Sequence, residues 1–360
     1  VKTRKFFKHF EPYEWETPTE AIASSIRIDP KDIFRLDTNT SPFIPVKPLY
    51  ELSQKLPRMA VNQYPDTSYL KIRRALSTYC RINEDRFVMT NGADEGLDII
   101  AKTFLDPGEE AAIISPTYSM FRIMTQIMDG KLISIKRRTD FSVDTHQVIK
   151  RTKNKTKLIF LCSPNNPTGN VMPLEDVSLL AEESKAIIAI DEAYYEFCGK
   201  SAIGLTDRHE NMIIVRTFSK AFSMAGVRVG YLVASKPTID ELNKVRPPNS
   251  LSNISLELAQ MALQNVESMK ENVALIVSER ERCLQALREI KELEAYPSDA
   301  NFILFKVKNM DANLVHSRLL KKGFVLRNLA NVPLVENCLR VTICTPEING
   351  AFLDALKYVL

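Results

Sequence analysis

In the stretch RTFSKAFSMAGVRVG, residues 216–230, a lone lysine, Lys220, sits among hydroxyl and apolar side chains, with Arg228 eight positions on. An ammonium in such company is poorly hydrated, and desolvation favours the neutral amine, a nucleophile and a base. Four more runs carry residues of the same usefulness: NGADEG with Ala93 and Asp94, SPTY ending in Tyr118, SPNNPTG with Asn165 and Asn166, and DEAYYEF with Asp191 and Tyr194. Thr217 and Ser219 add two hydroxyls beside the lysine. Taken singly, each has an ordinary explanation. Asn and Asp cap helices, Asn-Pro pairs make turns, a lysine is most often a surface charge, and an aspartate can cap a loop.

The elements that must carry these runs give them a common address. From about residue 68, short apolar segments alternate with amphipathic ones: RFVMT, AAIIS, KLISIK, KLIFLCSP, AIIAIDEAY, MIIVRTFS and VRVGYLVA read as strands, with helical stretches between most of them. That alternation predicts an α/β fold, a large domain with a mixed, mostly parallel sheet flanked by helices. Sites in such sheets lie in the loops at the carboxyl ends of the strands, which is where every run above falls. From about 250 the pattern changes to two long helical stretches (252–291) followed by mixed strands and helices, a smaller α+β domain. The expected division is an N-terminal arm, 1–47, contributing to the small domain; a large domain, 48–250; and a small domain, 251–360. The arm is proline-punctuated and reads as irregular, and the long helix near 267–290 is expected to join the two domains.

The chain has 360 residues, 45% hydrophobic, with 48 basic and 44 acidic side chains. So balanced a charge gives no case for nucleic acid as the main partner. No apolar run reaches the ~18–20 residues of a membrane span, and no signal peptide is evident. Six cysteines without a CxxC pair, and four histidines without ligand spacing to them, argue for reduced thiols, a cytoplasmic setting and no metal site.

Taken in order, the motifs are similar to those of the fold-type I pyridoxal-phosphate enzymes of the aspartate aminotransferase kind: Asn-Asn-Pro-Thr-Gly, then Asp-x-x-Tyr 25 residues after Asn166, then Ser-Lys with an arginine at +8. Within them the chain most resembles the histidinol-phosphate aminotransferase family, through EPYEW, LDTNTSPF, YPDTSY, NGADEG, SPTYSMF, CSPNNPTG, DEAYYEFCG, RTFSKAFSMAGVRVGY and VLRNLANVPLVENCLRVTICTPEIN. The resemblance implies that Lys220 forms a Schiff base with pyridoxal 5'-phosphate and later moves the substrate proton. It implies that Asp191 holds the ring nitrogen charged, that Asn166 and Tyr194 bond the ring 3-oxygen, and that Tyr118 stacks on the ring. The phosphate would rest on the helix start at Ala93 and Asp94, on Thr217, Ser219 and Arg228, and on Tyr64 of a second subunit in a homodimer with shared active sites. Substrate, an amino donor or a 2-oxo acid, would meet Tyr13, Asn39, Arg327 and Arg340, and planar guanidinium forks suit phosphate and carboxylate alike.

Two departures from the family pattern bear on substrate rather than cofactor. NTSPFIP replaces an Asn-Glu-Asn-Pro-Tyr-Gly run, and Asn249 follows Arg-Pro-Pro where a tyrosine is common. A threonine-phosphate decarboxylase-like lyase and a general aromatic aminotransferase therefore stand beside the first reading. A transcriptional regulator with an aminotransferase-like domain would need a DNA-binding domain ahead of it, for which the chain is expected to lack room.

Overall fold

Two regular elements lie in the stretch that reads as irregular: helix α1 (Thr19–Ile26) and strand β1 (Phe34–Leu36). The computed structural model describes residues 2–4, 6–7, 10–152 and 155–360. In α1 only Ile22 and Ala23 are buried, packed with Ile33 and Val325, so its sequence carries a two-residue apolar stripe too short to register as periodicity. Helix α2 (Val46–Lys55) follows, with Pro48 in its first turn, where no intrahelical donor is lost.

The chain then alternates: α3 (Leu70–Cys80), β2 (Phe87–Thr90), α4 (Gly92–Phe104), β3 (Glu110–Ser115), α5 (Ser119–Ile127), β4 (Lys131–Lys136), α6 (Thr145–Arg151), β5 (Thr156–Cys162), α7 (Leu174–Glu183), β6 (Ile187–Asp191), β7 (Met212–Thr217), β8 (Gly230–Ala234) and α8 (Lys236–Val245). Seven strands form one sheet in the order β2-β8-β7-β6-β5-β3-β4. Only β8 runs antiparallel to its neighbours. Side chains of the central strands alternate between two apolar layers. Ile159, Leu161, Ile188, Ile190, Met212 and Ile214 enter one; Leu158, Phe160, Ala189, Ile213 and Val215 enter the other, with α4, α5 and α8. Burial on both faces is why these strands read as continuous apolar runs.

The remainder comprises α9 (Asn253–Gln264), α10 (Val266–Arg288), β9 (Leu293–Ala295), β10 (Phe302–Val307), α11 (Ala312–Leu320), β11 (Phe324–Asn328), β12 (Cys338–Thr342) and α12 (Pro346–Val359). Helix α9 packs on α2 and α3. Helix α10 touches both sheets' surroundings: Arg280 donates to the Ala300 carbonyl at 3.1 Å and the Phe197 carbonyl at 3.5 Å. The second sheet has the order β1-β11-β12-β10-β9, and β1 is its one parallel edge. The first strand of the chain thus closes on one of the last.

That closure rests on Gly323. Its φ is +85°, and an added Cβ would stand 2.3 Å from the Asp32 carbonyl oxygen, just before β1. Gly323→Ala is expected to loosen β1 from β11 and cost about 2–3 kcal/mol, from left-handed strain plus overpacking. Denaturant titration checks it; an unchanged midpoint would show that the arm's seat is soft.

Candidate active site

The carboxyl ends of β3, β5, β6 and β7 open onto a cavity of about 970 Å³ whose other walls come from the arm and from β11 and β12. Asp191 ends β6. It is buried, and its carboxylate accepts the Ala193 N–H at 2.9 Å. Burial nevertheless raises its pKa to about 7, with Asp94 adding to the shift and Lys220 opposing it. Lys220 lies three residues past β7, with Nζ 5.8 Å from the centre of the Tyr194 ring and donating to the Thr38 carbonyl at 3.1 Å. Desolvation, then the charge of Arg340, lowers the amine to about 8. Both groups therefore titrate near neutrality, which for the amine of Lys220 suits proton transfer.

One end of the cavity is built for a polyanion. Thr217 and Ser219 share a hydroxyl–hydroxyl bond of 2.9 Å. Arg228, held left-handed at φ +56°, donates to the Ala225 carbonyl at 3.2 Å and stands 3.7 Å from Asp94. Helix α4 begins here, and Asn91 at its cap position makes no side-chain bond to the first turn. The helix start lies directly on β8: a Cβ on Gly230 would fall 2.6 Å from the Gly92 carbonyl carbon and 2.8 Å from the Ala93 nitrogen. Backbone amides, hydroxyls and a guanidinium converge as in other phosphate cradles. Tyr118 forms the adjoining wall, its hydroxyl donating to Asp94 at 3.0 Å.

The opposite wall is cationic. Arg340 on β12 donates to Asn166 Oδ1 and to the Asp37 carbonyl, both at 2.5 Å, and its buried Nε has no partner among the described residues. Arg327 on β11 lies directly across from Arg340 in the strand register and donates to Glu14 at 3.1 Å. Tyr13, pushed up to about 12 by burial and then by Glu16, donates to Glu16 at 2.9 Å. Asn39 donates to the Tyr194 hydroxyl at 3.0 Å and takes its own place from Thr342 and Asn301.

Fourteen residues read from the sequence thus line one cavity: Tyr13, Asn39, Ala93, Asp94, Tyr118, Asn166, Asp191, Tyr194, Thr217, Ser219, Lys220, Arg228, Arg327 and Arg340. Tyr64 does not; it is 85% exposed. The sequence reading missed Asp37 and Thr38, which act through main-chain carbonyls and leave no side-chain signal. It also missed Asn301, just before β10, and Thr342, the last residue of β12, whose polar side chains at the ends of apolar runs were the available clue. Among the described residues, no cluster of His, Cys, Asp and Glu could hold a metal ion, and no helix is long and apolar enough to cross a membrane.

The family model for class I and II aminotransferases matches residues 31–356. A histidinol-phosphate aminotransferase of Caldanaerobacter subterraneus subsp. tengcongensis is 35% identical over 91% of this chain and 93% of that protein. The crystal structure of histidinol-phosphate aminotransferase from Sinorhizobium meliloti in complex with pyridoxal-5'-phosphate superposes with a TM-score of 0.89 at 23% identity, covering 99% of this chain and 97% of that one. The L-threonine-O-3-phosphate decarboxylase of Porphyromonas gingivalis shares the fold at a TM-score of 0.80 and 20% identity, covering 91% and 99%.

The electrostatics make a direct expectation. Competitive labelling of Lys220 with an amine reagent, read by mass spectrometry against pH, should give a midpoint near 8. Arg340→Gln removes a neighbouring cation and should move that midpoint upward. A midpoint at the ordinary lysine value in the parent chain would contradict the site as described.

Proposed function

The chain belongs to the class I and II aminotransferases, and on that premise we propose that it transfers the amino group between histidinol phosphate and 2-oxoglutarate, with pyridoxal 5'-phosphate as cofactor. The observation that carries this reading is the single cavity in which a near-neutral lysine and a buried aspartate lie between a phosphate cradle and two arginines.

The residues fit the cofactor. Gly230 and Gly92 leave a cradle that a Cβ on either would fill, since a Cβ on Gly92 would meet Arg228 at 2.5 Å. When bound, pyridoxal phosphate supplies an aldehyde that captures amines and a ring that takes up the electron pair left on the substrate Cα. Lys220 Nζ is the anchor and, once released, carries the proton to and from Cα. Asp191 would hold a proton on the ring nitrogen, since a neighbouring carboxylate favours the charged form. Tyr194 and Asn166 would bond the ring oxygen, Tyr118 would cover the ring and keep water from it, and Thr217, Ser219, Arg228 and the amides at Ala93 and Asp94 would hold the phosphate.

Arg340 and Arg327 receive the substrate anion. Histidinol phosphate brings a phosphate and no carboxylate; glutamate brings carboxylates and no phosphate. Forked guanidinium groups accept both. Arg327 is held by Glu14, which is 82% exposed on its side chain, so an incoming anion displaces it at small cost. Tyr13 and Asn39 close the site from the arm.

The assay is kcat/KM for histidinol phosphate, histidinol, phenylalanine and phosphothreonine, with glutamate or 2-oxoglutarate as partner. Histidinol phosphate should beat histidinol by about a hundredfold, because the smaller substrate leaves two guanidinium groups unpaired. Arg340→Gln should harm both half-reactions, and Arg327→Ala the phosphorylated substrate most. Carbon dioxide released from phosphothreonine would make the chain a lyase, and preference for phenylalanine an aromatic aminotransferase.

The same reading gives a homodimer. Ile44, Val46, Tyr50, Val61 and Tyr64 are all more than 60% exposed within one short stretch of chain, an apolar face that a second copy would cover. Tyr64 would reach the partner's cofactor phosphate. Sedimentation should give a dimer at assay concentration, and Tyr64→Phe should weaken cofactor binding about tenfold. A fully active monomer would end this part of the proposal.

A further inference from the structure

On the far side of the two strands that lead to Asp191 and Lys220 lies a second set of charges, outside the cavity lining. Side chains alternate along β6 and β7. Ala189, Ile213 and Val215 face one apolar layer, Ile188, Ile190 and Ile214 the other. By the same alternation Asp191 and Thr217 turn to the cavity, and Glu192 and Arg216 turn away from it. Arg216 Nε and Nη2 donate to Glu192 Oε2 at 3.1 and 2.9 Å. Nη2 also reaches Ser201 Oγ at 2.6 Å, and that hydroxyl donates to Glu192 Oε2 at 2.8 Å. The Ala202 N–H supplies Glu192 Oε1 at 2.6 Å. Nη1 contacts Cys80 Sγ at 3.7 Å, and the guanidinium stacks 3.5 Å from the centre of the Tyr195 ring. The two side chains are 3% and 2% exposed.

So dry a pair is a poor means of stabilising a fold, because apolar residues of the same volume do as well without desolvating two charges. Its geometry is another matter. The ladder between β6 and β7 ends at the bond from Glu192 N–H to the Val215 carbonyl, 2.9 Å. The next main-chain bonds run elsewhere, Phe218 N–H to the Val229 carbonyl just before β8 and Tyr195 N–H back to Glu192. Where the ladder stops, a two-pronged side-chain bond takes over, one residue after Asp191 and four before Lys220.

We propose that Arg216 and Glu192 are positioning residues for the amino-transfer reaction: their ion pair locks the ends of β6 and β7 together and so sets how the Asp191 carboxylate and the Lys220 amine stand across the cofactor. The proposal rests on the function given above. The pair also keeps the neighbourhood of Asp191 electrically balanced. That carboxylate is faced by Asp94 from α4, Cys162 from β5, Tyr118 from the start of α5, and Tyr194 and Lys220 from the loops, and it feels the charge of Glu192, the next residue, from behind. Arg216, 2.9 Å from Glu192, offsets part of the charge that Glu192 adds to this set.

The test uses the cofactor-loaded full chain and four variants: R216M, E192Q, the double variant E192Q/R216M, and R216K. Three quantities are read: kcat and KM for glutamate, the pH midpoint of the bound cofactor's absorbance change, and the thermal midpoint. R216M bares a negative charge behind the cofactor and should raise the absorbance midpoint by about one pH unit; E192Q bares a positive one and should lower it by about as much. The double variant should return the midpoint to the parent value and keep most of the thermal stability. Its kcat should still fall about tenfold or more, with KM for glutamate within about twofold, because Arg340 and Arg327 are untouched. R216K keeps the charge and loses the fork, so it should share the parent's absorbance midpoint and the double variant's low kcat. A double variant or an R216K chain with parental kcat overturns the proposal, as do R216M and E192Q midpoints that move in the same direction. Should the single charge-baring variants fail to fold, the double variant and R216K decide it alone. A parent chain that binds no pyridoxal phosphate instead fails the functional reading.

Discussion

An amine and a carboxylate must be kept out of water, at the same edge of one sheet, without neutralising each other in a direct ion pair. Burial dominates both: it moves Asp191 up to about 7 and Lys220 down to about 8. Such groups work against the fold. Asp191 in the native chain keeps a proton that the unfolded chain releases above 3.8, so its contribution to stability falls as pH rises from there to about 7. Lys220 in the native chain gives up a proton that the unfolded chain holds to 10.5, so its cost is greatest below about 8 and is recovered as pH climbs between the two values. The apolar layers on both faces of the central sheet carry that cost, and a bound cofactor with its own cation and anions offsets it by mass action.

The second dependence is on the meeting of two sheets. Arg340 belongs to the smaller sheet, yet its two terminal nitrogens bond Asn166, at the end of β5, and the Asp37 carbonyl in the arm. Lys220 belongs to the larger sheet, and its amine bonds the Thr38 carbonyl in the same arm. Each half of the chemistry is thus tied to the segment between them. Arg340 thus stands where the small sheet, the arm and the large sheet are all within one side chain of each other, so its position is coupled to how the three are seated.

The central strands were legible because parallel strands buried on both faces are written as bare apolar runs, and because the polar residues that interrupt them fall at the ends where sites collect. Lys220, Asp191, Asn166 and Tyr194 declared themselves by order and spacing. What escaped did so for physical reasons. Strand β1 is three residues long, and α1 buries two side chains, so neither has a period to read. Carbonyls such as those of Asp37 and Thr38 carry no residue code. Arg216 and Glu192 were readable in principle, since a charge inside MIIVRT cannot be solvated in a buried strand, but only the fold shows that each finds the other.

The parallel seam between β1 and β11 fixes an order of events on the ribosome. Phe34 pairs with Phe324, so β1 waits until residue 324 is made before its partner exists. At ordinary elongation rates that delay is on the order of tens of seconds. The seven-stranded sheet, whose partners are all made by residue 234, can form in the meantime. The Thr38 carbonyl reaches Lys220 when β1 docks. A nascent chain therefore carries Lys220 and Asp191 at the edge of a finished sheet while the roof of the cavity is still being synthesised, and the cavity is completed by a strand made long after them.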